Sequence, residues 1–471
     1  MSKQGKHSLI YLLGRGVPGL INFAALSIYT RLLSPEVYGR YALAYSSVTL
    51  LNTLLFQWIR MSLLRYLPKF RHEEDKRELY GSIAAGFFTA GFLSLILVLG
   101  TLWILPNEEL RSLIYVALLL LWTEAFFEIA LEILRSNLEV KQYAISFMIK
   151  STFALLFGIT LLHLGFEASG ILLAIALSTI LTTGLCLRHI GKLIFKNLRY
   201  FNRTFFLEFL QYGIPFTITF GMTFIFNSSD RYFINYFLGE KETGLYAVAY
   251  DLARQSLWVI MTAINLGSFP LAIRALENDG VNAANNQLSE NLILLLKIAM
   301  PLAFGFMALN SEVVDLIIGE QFAEEAKKII PYIVLGTLMV GFKNFYFDQG
   351  FQLGKRTYLQ IYPVILAAVV NILLNLFIIT WLGVFGAVIS TLVSFFVALI
   401  ASAILSRRVY KLPLPLLSSL KILISSMIMG LLLYLAKNSI ASAHFRLLFL
   451  APVGSLVYIG ILRLFKINFF R

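Results

Sequence analysis

Long apolar segments recur along the whole of this sequence, and they constrain its fold more than any other feature. Each segment has about eighteen residues or more, and a helix of that length crosses a hydrocarbon core of about 30 Å. A helix also satisfies its backbone groups internally, as lipid requires, whereas membrane strands would show alternating segments of about ten residues. Only 14% of the residues are charged and 58% are hydrophobic, so most of the surface cannot face water. The sequence therefore predicts an all-α fold, a polytopic transmembrane helical bundle of about 14 spans.

The predicted spans also fix an orientation in the membrane. They lie near residues 8–30, 41–59, 82–104, 111–133, 143–163, 168–187, 206–228, 245–269, 290–309, 329–349, 358–381, 384–405, 416–436 and 445–465. An even number of spans leaves both termini on one side, and most Lys and Arg residues between spans fall on that side. Positive loops stay in the cytoplasm, so both termini are predicted to be cytoplasmic. We attribute the net charge of +13 to these loops rather than to nucleic-acid binding.

An internal repeat suggests how the spans are organised. Gly39–Tyr45 and Gly244–Tyr250 agree at five of seven positions. Internal repeats are typical of transporters that bind substrate between two related lobes. We predict two pseudo-symmetric six-helix lobes plus two C-terminal helices. The predicted divisions are an N-terminal lobe at 1–187, a basic cytoplasmic linker at 188–205, a C-terminal lobe at 206–405 and two additional helices in 406–471.

Several short segments near the repeats resemble a known family. They are Arg31–Gly39, Tyr212–Pro215, Asp230 with Arg231, Gly244–Tyr246, and Asn371 with Asn375. In these segments the chain resembles the polysaccharide-export branch of the multidrug/oligosaccharidyl-lipid/polysaccharide exporter (MOP) superfamily, which includes the O-antigen (Wzx-type) flippases. The likeness extends over nearly the whole chain.

The resemblance implies a flippase of the bacterial inner membrane rather than an enzyme, and no cofactor. Such proteins move an undecaprenyl-pyrophosphate-linked oligosaccharide from the cytoplasmic to the periplasmic leaflet. In this family two lobes enclose a cationic cavity that opens alternately to either side. The expected partners are the lipid-linked glycan, the membrane lipids and the polysaccharide polymerase machinery.

Five cations lie well inside predicted spans: Arg15, Lys150, Arg254, Lys297 and Lys343. A charge at the centre of a bilayer costs about 3 kcal/mol on insertion scales, so each cation needs a partner or a wet cavity. One interpretation is a cavity that receives pyrophosphate, with Arg forking onto phosphate oxygens and Lys acting as a point charge. The alternative is that each cation snorkels to an interface or forms an internal pair. Arg254 is the deepest of the five.

Three intramembrane carboxylates are candidates for ion coupling. Glu124 and Glu128 are four residues apart and share one helix face, where their charges repel. They could take up a proton as the cavity changes side, or form a static pair with Lys150 on the next span. Asp251 lies three residues before Arg254, which it could neutralise.

One proline interrupts the first helix of each predicted lobe. Pro18 and Pro215 each remove a backbone donor, which predicts either a flexible bend or a fixed kink.

The segment Gly350–Thr357 departs from the spacing of a phosphate-binding loop, so we predict no nucleotide site. The His residues are scattered without metal-ligand spacing, so we predict no metal site.

Two other functions remain open. The first is a multidrug exporter of the same superfamily, although its members stop at twelve helices. The second is a membrane glycan polymerase or ligase, which would need a sizeable catalytic loop outside the membrane. The sugar and the driving ion are not specified by any motif.

Overall fold

The computed structural model describes residues 3–70, 73–104, 108–437 and 443–467. In these ranges the chain forms helices and no strands, which confirms the predicted all-α bundle. The chain divides into two compact units, Met1–Ser228 and Ser229–Arg471. The predicted boundaries of the lobes and linker stay a prediction.

Unit 1 consists of helices joined by short connections. Its α-helices are α1 (Lys3–Leu32), α2 (Pro35–Tyr66), α3 (Glu73–Ile104), α4 (Glu108–Ser136), α5 (Val140–His163), α6 (Ala168–Cys186), α7 (Arg188–Lys196) and α8 (Arg203–Ser228). Short 3-10 helices follow α2 and α7, at Leu67–Lys69 and Leu198–Tyr200.

Unit 2 contains the remaining helices. They are α9 (Asp230–Leu238), α10 (Glu240–Asp279), α11 (Val281–Ala308), α12 (Asn310–Ile317), α13 (Glu320–Phe342), α14 (Gln349–Leu353), α15 (Ile361–Leu382), α16 (Val384–Arg407), α17 (Leu416–Ala436) and α18 (Ala443–Leu464). A π-helical turn, Lys343–Phe347, joins α13 to α14, and a 3-10 turn, Thr357–Gln360, precedes α15.

Within the described residues, 13 helices are long and apolar enough to cross a membrane. They match the predicted spans from the second to the last, and the chain is a multi-pass membrane protein. The first predicted span, 8–30, falls in α1, which has 30 residues. Several side chains at the start of α1 lie outside the described part of the structure.

The core of unit 1 forms where α2 meets α4 and α8. Ser34 caps α2 by accepting a hydrogen bond from the backbone N–H of Val37 at 3.4 Å, and Pro35 occupies the first helical turn. Phe56, Leu63 and other apolar side chains of α2 are fully buried in this core. The buried face of α2 continues past the predicted end of its span, so α2 is much longer than the sequence indicated.

Close helix packing in unit 1 depends on a glycine of α8. A Cβ atom at Gly213 would lie 2.5 Å from the carbonyl oxygen of Trp58 and 2.6 Å from its Cβ. Both contacts are shorter than van der Waals separation, and one of the atoms is backbone. The absence of a side chain at Gly213 therefore sets how closely α8 approaches α2.

In unit 2, the last two helices pack onto α11. Ile422 and Met429 of α17 join a buried cluster with Leu288 and Leu292 of α11. Helix α18 packs against α17 and α12. The additional pair of helices is thus part of the core of unit 2.

We predict that Gly213→Ala destabilises the protein by about 1–3 kcal/mol, because the added methyl group forces α8 away from α2. The matched control is Gly184→Ala in α6, where a Cβ atom would have no neighbour within 4 Å. Thermal unfolding of both purified variants in detergent measures the difference. An equal midpoint for the two variants would contradict the assigned role of Gly213.

Candidate functional site

Buried charges inside the helices form the candidate site, and the first cluster joins α4 to α5. The Lys150 Nζ atom lies 2.6 Å from both carboxylate oxygens of Glu124, which is only 7% exposed. The same ammonium lies 4.9 Å above the centre of the Phe127 ring. This is the static pair that the sequence left as one alternative for Lys150. The role of either residue in transport stays a prediction.

A second ion pair lies one helical turn further along α4. Glu128 accepts hydrogen bonds from the guanidinium of Arg60 and, at 3.0 Å, from Nδ2 of Asn52. Arg60 also donates to Gln57 on its own helix. Glu132, the next residue on this face, lies 3.6 Å from Arg135. Each carboxylate on this helix face thus has its own cation, which offsets their mutual repulsion.

Arg60 is a partly buried cation that was not predicted, because it lies one residue beyond the predicted second span, 41–59. The residue lies inside α2, which ends at Tyr66. Ile59 and Leu63 repeat at the i, i+4 spacing of a buried helix face, and this spacing was the signal that the helix continues.

Neutral hydrogen-bond donors in unit 2 surround the carboxylate of Asp230, which is 2% exposed, and we call this arrangement the cage. Asn371 and Asn375 donate to its Oδ1 atom at 3.0 Å and 2.6 Å. The hydroxyls of Tyr246, at 2.9 Å, and of Thr391 donate to Oδ2. No basic side chain of the described residues lies within ion-pair distance of Asp230. Its charge is therefore balanced by neutral donors from α10, α15 and α16.

Arg254 is held by aromatic side chains of its own helix. Its Nη1 atom donates to the Tyr250 hydroxyl at 2.9 Å, and the guanidinium lies 5.2 Å from the centre of the Trp258 ring. Asp251 instead accepts a hydrogen bond from Arg231 at 2.5 Å. Among the described residues, no carboxylate lies within ion-pair distance of Arg254. Most of its N–H donors remain available for another acceptor.

Lys297 lies at an apolar cavity in unit 2. The lysine is 5% exposed, and the cavity of about 460 Å³ lies between α10, α11, α17 and α18. Apolar residues such as Pro301, Phe306 and Met429 form most of its lining, and Tyr458 adds a hydroxyl. The arrangement can accommodate an apolar chain next to an ammonium group.

Lys343 forms a closed ion pair at the π-helical turn. Its Nζ atom lies 2.7 Å from Oδ2 of Asp348, and the two side chains are 2% and 0% exposed. Gln360 donates to the same carboxylate at 2.8 Å, and Ser402 also donates to it. A π-helical turn is often a functional irregularity in a helix. Here it places both charges within reach of each other.

The remaining predicted residues lie in two helices. The side chain of Arg15 lies outside the described residues. Pro18 and Pro215 lie inside α1 and α8, and both helices continue through them. Among the described residues, no group of three or more His, Cys, Asp or Glu side chains could hold a metal ion.

Comparison with known proteins gives two kinds of similarity. A family model described as "Polysaccharide biosynthesis protein" matches residues 28–327, which is more than half of the chain. No curated protein sequence matches the chain.

Solved structures share the fold. A structure of the lipid II flippase MurJ in an inward closed conformation has a TM-score of 0.79 at 16% identity and covers 97% of this chain and 98% of its own. An inward-facing multidrug resistance MATE family transporter of the MOP superfamily has a TM-score of 0.63 at 16% identity, covering 84% of this chain and 97% of its own. A MATE structure in the bent conformation has a TM-score of 0.57 at 16% identity, covering 86% and 94%.

We predict a strong energetic coupling between Glu124 and Lys150. Glu124→Gln or Lys150→Gln alone should destabilise the protein by about 3–5 kcal/mol, because each leaves a buried charge without its partner. The double variant should recover most of this loss, since both charges are then absent. Thermal unfolding of the four proteins completes the double-mutant cycle. A double variant as unstable as the sum of the single variants would contradict the pairing.

We also predict that Asp230→Asn costs about 1–3 kcal/mol of stability. The new amide group has one accepting oxygen in place of two, so a donor of the cage is left unsatisfied. Asp315→Asn is the control, because Asp315 forms a more exposed pair with Lys327 at 2.7 Å, and exposed pairs contribute little. The test compares thermal midpoints, and an equal loss in both variants would contradict the assigned energetics of the cage.

Proposed function

The chain belongs to the polysaccharide biosynthesis protein family, and we propose that it is a flippase for a lipid-linked oligosaccharide. In this proposal it moves an undecaprenyl-pyrophosphate-linked repeat unit, such as that of an O-antigen, from the cytoplasmic to the periplasmic leaflet of a bacterial inner membrane. It would do so by alternating access, with the substrate site open first to one side of the membrane and then to the other. No bond of the substrate is made or broken in this process.

The apolar cavity beside Lys297 carries the proposal. A polyprenyl pyrophosphate combines a long apolar chain with a strongly anionic headgroup. The cavity offers apolar walls from α11, α17 and α18 together with a buried ammonium group. The polyprenyl chain is already in hydrocarbon in the bilayer, so moving it into an apolar cavity costs little, and van der Waals packing against the walls holds it there. The ammonium would offset part of the cost of bringing phosphate out of water.

Arg254 is the second group suited to binding phosphate. Its guanidinium has five N–H donors and meets one acceptor among the described residues, the Tyr250 hydroxyl. Tyr250 and Trp258 restrain the side chain, so less conformational entropy is lost when a ligand binds. A fork of this kind matches two phosphate oxygens. We assign the pyrophosphate contacts to Arg254 and Lys297, with Arg15, Lys150 and Lys343 as further proposed cavity cations.

Ion pairs provide a route to ion coupling in this proposal. Glu124, Glu128 and Asp251 are each held by a cation in the structure. If such a cation turns to the phosphate groups, the released carboxylate is left in a poorly solvated place and takes up a proton. Substrate binding and proton uptake would then favour each other. Loss of the substrate on the far side would reverse both steps.

A multidrug exporter is the second candidate, because MATE transporters share the fold. An amphipathic cationic drug would have to bind beside Lys297 and Arg254, which repel it. The anionic lipid-linked glycan is therefore the better match to these charges.

The first experiment asks where the lipid-linked glycan accumulates when the gene is deleted. A flippase defect leaves complete repeat units in the cytoplasmic leaflet, where an added periplasmic glycosidase cannot reach them. Accumulation of unpolymerised units in the periplasmic leaflet would assign the protein to polymerisation. Unchanged glycan with altered drug resistance would favour the multidrug exporter.

Complementation of the deletion strain then tests Arg254. We expect Arg254→Ala to lower the flipping rate about tenfold to a hundredfold, because charge-assisted hydrogen bonds to phosphate contribute about 1.5–3 kcal/mol. Arg254→Lys should retain part of the activity, since the charge remains while the fork is lost. Arg408→Ala, at an exposed cation beyond α16, is the control. Full activity of well-expressed Arg254→Ala protein would remove this residue from the proposed site.

A further inference from the structure

A short basic helix outside the membrane spans has a different chemistry from the buried site. Helix α7 has 9 residues, Arg188–Lys196, and joins the spans α6 and α8 through the 3-10 turn Leu198–Tyr200. At 1.5 Å per residue it is too short to cross a hydrocarbon core of about 30 Å. It therefore lies at the end of the spans, near the membrane surface. We call residues 188–203 the surface segment.

The surface segment is fixed to the body of unit 1 by its apolar face. Ile190 and Ile194 are each 1% exposed and belong to the core cluster of unit 1. The Phe195 ring stacks on that of Phe126 at 5.4 Å with an interplanar angle of 7°. This face orients the helix, so the opposite face has a fixed direction.

Hydrogen bonds fix the far end of the segment to the start of α3. Asn202 Nδ2 donates to Glu78 at 2.7 Å, and the Ser82 hydroxyl donates to the Asn202 carbonyl at 3.2 Å. A Cβ atom at Gly81 would lie 2.6 Å from the Asn197 carbonyl oxygen, so the two backbones are in close contact. The segment is therefore an ordered part of the fold rather than a free linker.

The outward face of the segment is positively charged. Arg188, Lys192 and Lys196 follow each other at the i, i+4 spacing, on the side of α7 opposite Ile190 and Ile194. Arg199 and Arg203 continue the positive charge, and all five side chains are exposed. The segment contains no acidic residue. None of the five cations forms an ion pair within the described residues.

Apolar side chains lie exposed among these cations. Phe195, Leu198 and Phe201 are 44%, 40% and 47% exposed. Exposed aromatic and aliphatic residues between cations are unfavourable in water. They are typical of a helix that lies in the interface of a bilayer, with its cations at the level of the phosphate groups.

We propose that the surface segment binds the phosphate headgroups of anionic phospholipids at the membrane surface. Lys and Arg near a membrane are attracted to anionic lipids, and a cluster of four or more cations next to a span is the usual signature. An acidic protein partner would explain the cations but not the exposed Phe and Leu side chains between them. The inference depends on the membrane location of the chain and not on which substrate it carries.

The test measures lipid binding to the full-length protein in detergent by native mass spectrometry. The probes are cardiolipin and dioleoyl-phosphatidylglycerol, with dioleoyl-phosphatidylcholine as the uncharged comparison. We expect the variant R188Q/K192Q/K196Q to bind the two anionic lipids about tenfold to a hundredfold more weakly, and phosphatidylcholine as before. Raising the salt concentration should weaken the wild-type binding and narrow this difference.

Two control variants separate a lipid site from an effect of folding or of net charge. R188K/K192R/K196R keeps all three charges and should bind as the wild type does, which excludes a purely structural effect. R407Q/R408Q/K411Q removes three exposed cations from the end of α16 and the connection that follows it, and should lose less binding than the α7 variant. Equal losses in the two charge-removing variants would show that binding follows net charge alone and would overturn the proposal.

A final arm distinguishes lipid from free phosphate. Sodium pyrophosphate at millimolar concentration should fail to displace bound cardiolipin, because it cannot occupy the apolar part of the surface segment. Displacement by pyrophosphate at concentrations comparable to that of cardiolipin would assign the cations to soluble phosphate and overturn the proposal. Unchanged lipid binding by R188Q/K192Q/K196Q would overturn it as well.

Discussion

The cost of placing charge in hydrocarbon is the constraint on which the rest of this structure depends. The chain places several ionised groups inside its spans, where water cannot solvate them. The structure compensates them in three ways. Glu124 and Lys343 each have a partner of opposite charge. Asp230 is surrounded by neutral donors, and Arg254 lies beside aromatic rings.

These three solutions differ in how easily a ligand can replace them. A closed pair such as Lys343 with Asp348 would lose its full attraction if one member moved away, because both are almost completely buried. In this arrangement the pair supports the π-helical turn, and Lys343 could reach a substrate only after the pair opens. Arg254 would lose only one hydrogen bond to Tyr250 and could gain two from a phosphate group. A substrate is therefore more easily accepted at Arg254 than at Lys343.

The sequence predicted the helices well, because a single requirement, about 30 Å of apolar length, determines them. It also predicted which residue types inside the spans are costly. It could not predict which residues pair with these charged groups, because the pairing depends on the rotation and depth of helices that are distant in sequence. Asp251 shows this, since the nearby Arg254 was the expected partner and Arg231 is the actual one. The cage around Asp230 joins α9, α10, α15 and α16, and no local spacing of residues in the sequence predicts that these four helices come together.

Lys and Arg residues are energetically costly inside the spans but well tolerated outside them. Within the helices a cation is costly: Lys150 and Lys343 are paired with carboxylates, Arg254 lies beside aromatic rings, and Lys297 lies at a cavity. On the surface segment the five cations have no carboxylate partners among the described residues, and water makes this arrangement tolerable. Bringing an anionic bilayer surface to Lys192 and Lys196 releases counterions and buries Leu198 and Phe201. The attraction is strongest when the segment keeps a fixed orientation, and the hydrogen bonds that Asn202 donates to Glu78 and accepts from Ser82 help to provide it. Apolar contacts of Ile190 and Ile194 and the hydrogen bonds of Asn202 thus dock the segment, while its cations stay on the outward face.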